Sequence, residues 1–182
     1  MTGRAVAFAA LLAFAAASCD RVEPPPPSET GVPRTITVQV YFLRGDGCHV
    51  VPVTRQASGT RPLDFARGAL DRLVDGPTER ESASGFRSAI PDSVRVWQNW
   101  QSHIAFDIDP PHGPDKVRIL DVREEDHGIL YVDFSSEIEA FRGGAEGVCG
   151  IVRQVESTVK QFDAYDDVRI AVEGKTRGVL QP

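Results

Sequence analysis

Three cysteines, four histidines and two tryptophans are the side chains here whose chemistry reaches beyond ordinary packing. Cys48 and Cys149 are candidates for a disulfide. Such a bridge would clamp a strand to a helix and close a loop of about 100 residues, worth about 4–5 kcal/mol in the chain-entropy model. Two separate buried thiols are the other reading. Among His49, His103, His112 and His127, His103 with Asp107 and Asp109 could contribute to a metal site. No HExxH pairing is present and the spacing matches no compact ligand set, so these read as surface residues and no metal is assigned. No Gly-x-Ser-x-Gly elbow holds a serine for attack, and no catalytic residue is assigned. Gly143-Gly144-Ala145-Glu146-Gly147 lacks the Lys and Ser/Thr of a phosphate loop. Glycine there lets the chain turn, although free backbone amides at such a helix start could hold an anion weakly. Trp97 and Trp100 are candidates for a binding surface, because aromatics anchor interfaces. Covering a local apolar gap is the bland alternative.

Cys19 belongs to a different region. Ala5 to Ala17 is apolar throughout, and Arg4 is the only charge before Asp20. That stretch suits a signal-peptide core and falls short of the about 20 residues a bilayer span needs. Ala16, Ala17 and Ser18 before Cys19 resemble a lipobox, with alanine where leucine is usual three residues before the cysteine. The expectation is a signal peptide over 1–18, lipidation on Cys19, and a proline-rich linker over 19–34. Ordinary signal cleavage near Ala17 is the competing reading. Pro24 to Pro27 and Pro33 favour extended polyproline geometry, so the linker reads as a stalk.

Composition narrows the function classes. The chain has 182 residues, 41% hydrophobic and 25% charged, enough apolar material to fill one core. A formal net charge of −6 argues against nucleic acid and against a polybasic membrane patch. No cofactor is called for.

The elements that must position these residues follow from periodicity. Ile36, Val38, Val40 and Phe42 alternate as a strand, Gly45-Asp46-Gly47 turns, and Cys48 to Thr54 returns as a second strand. Pro52 places that strand at a sheet edge. Ala66, Ala69, Leu70, Leu73 and Val74 form one face of a helix over 63–75, stopped by Gly76-Pro77. Val94 and Val96 read as a strand, and Ile104, Phe106 and Ile108 as another. Val117 to Arg123 and Ile129 to Phe134 form a hairpin. A helix near 145–162 buries Ile151, Val155 and Val159, and Val168, Ile170 and Val172 alternate as a closing strand. The expected class is α+β, a two-layer sandwich of a mostly antiparallel sheet with two helices on one face.

Four stretches in this order resemble the GerMN domain, the sporulation and spore germination domain of bacterial lipoproteins. They are Val40-Tyr41-Phe42 leading to Val50-Val51-Pro52-Val53-Thr54-Arg55, then Ala69 to Thr78, then Ser88-Ala89-Ile90-Pro91, then Ile129 to Ser135 with the helix behind it. They place a GerMN-like domain over 35–182. The resemblance implies an extracytoplasmic, non-enzymatic domain, similar to ring-building modules of secretion-type assemblies, and it transfers no functional residues. The residues near 94–116 depart from the pattern as an inserted segment. The reading is a membrane-anchored interaction or assembly module of the cell envelope, exported, with an envelope protein or a second copy as partner. A small-ligand or cell-wall glycan binder using Trp97 and Trp100 is the alternative.

Overall fold

A computed structural model describes residues 31–103 and 116–181. The chain divides into two units, Met1–Thr30 and Gly31–Pro182, and every described residue belongs to the second. The signal peptide, Cys19, most of the linker, the Ile104–Ile108 strand, Asp107, Asp109 and His112 lie outside the described residues.

The alternating N-terminal stretch forms β1, Arg34–Arg44, which pairs antiparallel with β2, Val50–Gly59. β2 is the outer strand of its sheet, where Pro52 costs no inner ladder bond. Pro62 opens α1, Pro62–Asp75, and Gly76 ends it with φ +82° while its amide returns to the Leu73 carbonyl at 3.1 Å. Two short elements follow, α2, Glu79–Ala83, and β3, Phe86–Arg87, which pairs with Leu43 and Arg44 at the end of β1.

The second sheet holds β4, Ile119–Glu125, β5, Ile129–Phe134, and β6, Asp167–Val172, in that spatial order. β4 and β5 are the expected hairpin. β6 runs parallel to β5, because α4, Gly144–Val159, carries the chain back between them.

The α+β class holds, with four differences of detail. The strands divide into two three-stranded sheets, and the β5–β6 pair is parallel. Residues expected as a strand at Val94 and Val96 form a helix, α3, Ser93–His103, so Trp97 sits on a helix inside the segment expected as an insertion. The cause is local. Asp92 follows Pro91 and caps the helix, its carboxylate accepting the Arg95 amide at 2.8 Å. Cys48 lies in the β1–β2 turn and does not open β2.

α1 packs on β1, β2 and β4, while α4 packs on β1, β2, β6 and α1, so the two helices serve both sheets. One core results. Val40 and Phe42 from the first sheet, Val132 and Phe134 from the second, Leu70 and Leu73 from α1, and Ile151, Val155 and Val159 from α4 belong to it, all fully buried. Among the described residues no helix is long and apolar enough to cross a membrane.

Candidate functional site

The segment from Gly76 to Trp97 holds the end of one resemblance-bearing stretch and the whole of another, Ser88 to Pro91. Pro77 leads from α1 into Thr78, which caps α2. Its hydroxyl accepts the Glu81 amide at 3.3 Å and its own amide donates to Glu81 Oε2 at 2.8 Å, a reciprocal capping box. Arg55 of β2 grips the same carboxylate with two parallel bonds of 2.8 and 2.5 Å. Its guanidinium outweighs the cost of burial and, with the Thr78 cap, holds the Glu81 carboxyl down to about 2. The pair ties α2 to the outer strand.

Beyond β3, the backbone at Ser88-Ala89-Ile90 is clamped from two sides. The Ala89 amide donates to Gln154 Oε1 on α4 at 2.7 Å, and Arg95 of α3 donates to the Ser88 carbonyl at 3.4 Å. The Ser88 hydroxyl accepts the Ile90 amide at 3.1 Å, a local turn that sets the approach to Pro91. Gly150 of α4 lies so close that a Cβ there would meet that of Ala89 at 2.8 Å, so only glycine allows this packing.

Two open cavities flank this clamp and share Arg87, Ser88 and Arg95. One, of about 330 Å³, lies against Gly76, Pro77 and Phe86. The other, of about 420 Å³, is bounded by Leu43 and Gly47 on the sheet side and by Arg142, Gly143, Glu146 and Gly147 at the start of α4.

Cys48 and Cys149 form a disulfide with their Cα atoms 5.7 Å apart. It pins the β1–β2 turn to the second turn of α4 beside the larger cavity. Trp97 is half-buried on α3. Trp100 lies three residues on in the same helix. The structure brings the cysteines together and places Trp97 on a neighbouring helix, away from the lining of either cavity. His127 occupies the β4–β5 turn with φ +63°. Among the described residues no group of His, Cys, Asp and Glu is placed to hold a metal ion.

Sequence reasoning missed Arg87, Arg95, Arg142 and Gln154. The Pro91-Asp92 helix start was a usable signal for α3, and α3 is what brings Arg95 back to Ser88. Arg87 and Arg142 carried none, because their meeting depends on the approach of β3 to α4.

Three antiparallel pairs, a parallel crossover pair and two shared helices define an α+β protein of domain size. A family model for sporulation and spore germination matches residues 109–178, the stretch that contains the second sheet and α4. The fold is similar to the tandem GerMN domains of the sporulation protein GerM from Bacillus subtilis, with a TM-score of 0.50 at 19% identity over 78% of this chain. The chain spans 40% of the length of that tandem structure. The first GerMN domain of the same protein gives 0.48 at 19% identity, over 78% of this chain and 85% of that one. No curated protein matches the sequence. Residues 109–178 thus match the sporulation and spore germination family, and the fold over most of the chain is similar to that of the GerM tandem structure.

Proposed function

We propose that this GerMN-type domain is exported, held at a membrane through acylated Cys19, and works without catalysis as an interaction or assembly module of the cell envelope. Export is supported by the apolar leader ending at Cys19 and by the disulfide, a bond that persists in oxidising compartments. The observation that carries the assembly reading is the outer side of β6, which among the described residues pairs with no strand and meets only the Val172–Lys175 bridge. Its pairing partner β5 lies on one side only. The Val172 amide turns to the other side, where it donates to the Lys175 carbonyl at 2.9 Å. By the alternation of a strand, Val168 and Ile170 offer N–H and C=O groups on that same outer side. An edge of this kind recruits a partner or a second copy by strand addition.

Metabolic labelling with a fatty acid, followed by crosslinking in native membranes, tests both parts. The labelled band should vanish in Cys19→Ser. A specific crosslinked partner, or a homodimer, should form with the parent chain and be lost in Val168→Pro, which removes an outward N–H. An unlabelled chain recovered from the cell interior overturns the anchored reading, and crosslinking unchanged by Val168→Pro overturns the edge. The second reading, a glycan or small-ligand binder, draws on the i, i+3 spacing of Trp97 and Trp100 along α3. Quenching of tryptophan fluorescence by peptidoglycan fragments, abolished in Trp97→Ala, would favour it.

A further inference from the structure

The chain is acidic, with 26 Asp and Glu against 20 Lys and Arg. Some of its described arginines sit beside carboxylates, as Arg55, Arg61, Arg72, Arg118, Arg123, Arg153 and Arg169 do. Arg87, Arg95 and Arg142 differ from these and gather in one place. All three line the 420 Å³ cavity, and none forms an ion pair among the described residues. Each guanidinium is steadied by a neutral oxygen. Arg87 donates to the Gly45 carbonyl, Arg95 to the Ser88 carbonyl at 3.4 Å, and Arg142 to Gln98 Oε1 at 3.1 Å. A guanidinium has five N–H donors, so these contacts orient each group and leave donors to spare.

We propose that this cavity binds a phosphate monoester group. Three guanidiniums face one carboxylate, that of Glu146, among the lining residues, a formal surplus of two positive charges. That surplus matches a dianion better than a single carboxylate, and the planar forks suit phosphate oxygens. Leu43 and Ala89 supply an apolar wall, and the volume exceeds what the anion alone would fill, so the organic body of the ester is accommodated beside it. The site stands on the cavity and its three arginines; the start of α4 adds a field of the same sign. The Cys48–Cys149 disulfide holds two of the walls in register, since Gly47 and Gly147 lie next to the bonded segments. The proposal goes beyond the envelope-assembly reading and is tested without reference to anchorage or partner.

Calorimetric titration of the full chain with inorganic phosphate, glycerol 3-phosphate and dihexanoyl phosphatidic acid is the test, with glycerol as the uncharged control. Saturable binding of the phosphorylated compounds, and none of glycerol, is expected. Arg95→Gln and Arg142→Gln should each weaken it by at least about tenfold, as loss of a charge-assisted contact does. Arg153→Gln, on the exposed side of α4, should leave it unchanged. Tighter binding of the short-chain lipid than of glycerol 3-phosphate would assign the ester to a lipid headgroup, and equal binding to a soluble compound; either supports the site. Thermal melts check that each variant is folded, and if Arg95→Gln is not, Arg142→Gln carries the reading alone. Absence of saturable binding at millimolar ligand, or equal binding by folded Arg142→Gln, overturns the proposal.

Discussion

Glu81 shows how much one side chain can hold. Its carboxylate closes the cap of α2 and receives the Arg55 fork, with about a fifth of its surface exposed. The folded-state pKa lies near 2 against an ordinary 4.5, so the unfolded chain takes up the proton first as pH falls. The stabilisation is complete above pH 4.5 and is lost as pH drops toward 2. Screening at this part-exposed site trims the effect to about 2 kcal/mol. Urea denaturation should find Glu81→Gln less stable than the parent at pH 7 by that order, with the gap closing near pH 2. A gap unchanged between the two pH values would mean that the charge is irrelevant. Asp64 follows the same sign, because the Thr60 and Arg61 amides and the Thr60 hydroxyl, at 2.9 to 3.0 Å, lower its carboxyl to about 2.

Among the elements, α4 does more than bury an apolar stripe. β1 is paired along its length on one side only, since β3 meets just Leu43 and Arg44 on the other. The N–H and C=O groups of Gln39 and Tyr41 on that edge are taken up by polar side chains from α4 and its exit. Tyr41 donates to Thr158 Oγ1 at 3.2 Å and its carbonyl accepts Gln154 Nε2 at 3.1 Å. Gln39 exchanges two bonds with the Gln161 amide, 2.7 and 2.6 Å. Gln154, Thr158 and Gln161 thus act as a substitute strand, satisfying backbone groups that burial would otherwise leave costly. Gln154 is fully buried, and its fixed amide bridges Tyr41 to Ala89. Gln154→Leu should therefore cost about 2–4 kcal/mol despite conserving volume, because it strands one N–H and one C=O in the core. Arg153→Ala, one residue away and exposed, should stay within about 0.5 kcal/mol. Equilibrium denaturation of both variants decides the matter, and equal stabilities would show that the bonds to Tyr41 and Ala89 carry no net energy.

For the molecule as a whole, the main fact is that two small sheets share one core through α1 and α4. Both long helices pack on strands of each sheet, so separating the sheets would expose the apolar faces of α1 and α4. The disulfide spans 101 residues and ties the first sheet's turn to the helix that feeds the second sheet. Closing a loop of that length is worth about 4–5 kcal/mol by restriction of the unfolded chain. Reduction, or the pair Cys48→Ser and Cys149→Ser, should lower the midpoint of thermal unfolding by roughly 10 °C for a domain of this size. Scanning calorimetry with and without reductant reads this directly, and coincident transitions would mean that the bridge contributes nothing to stability.

The sequence by itself determined the α+β class, the β1–β2 and β4–β5 pairs, the apolar faces of α1 and α4, and the edge position of Pro52. Each of these is written in short-range periodicity or in a turn residue, where neighbours in the chain dictate the geometry. The GerMN resemblance was legible in the same way, through stretches that stop helices and steer strands. Tertiary structure alone decided that β6 runs parallel to β5, that the strands form two sheets, and that Gln154 and Thr158 belong to the core. It also gathered Arg87, Arg95 and Arg142 around one cavity. Each of those arginines looks like an ordinary solvated charge along the chain, and a glutamine on a helix looks solvent-facing. Their meaning depends on partners 7 to 113 residues distant, such as Ser88 for Arg95 and Tyr41 for Gln154, and only the packing of β3, α3 and α4 supplies them.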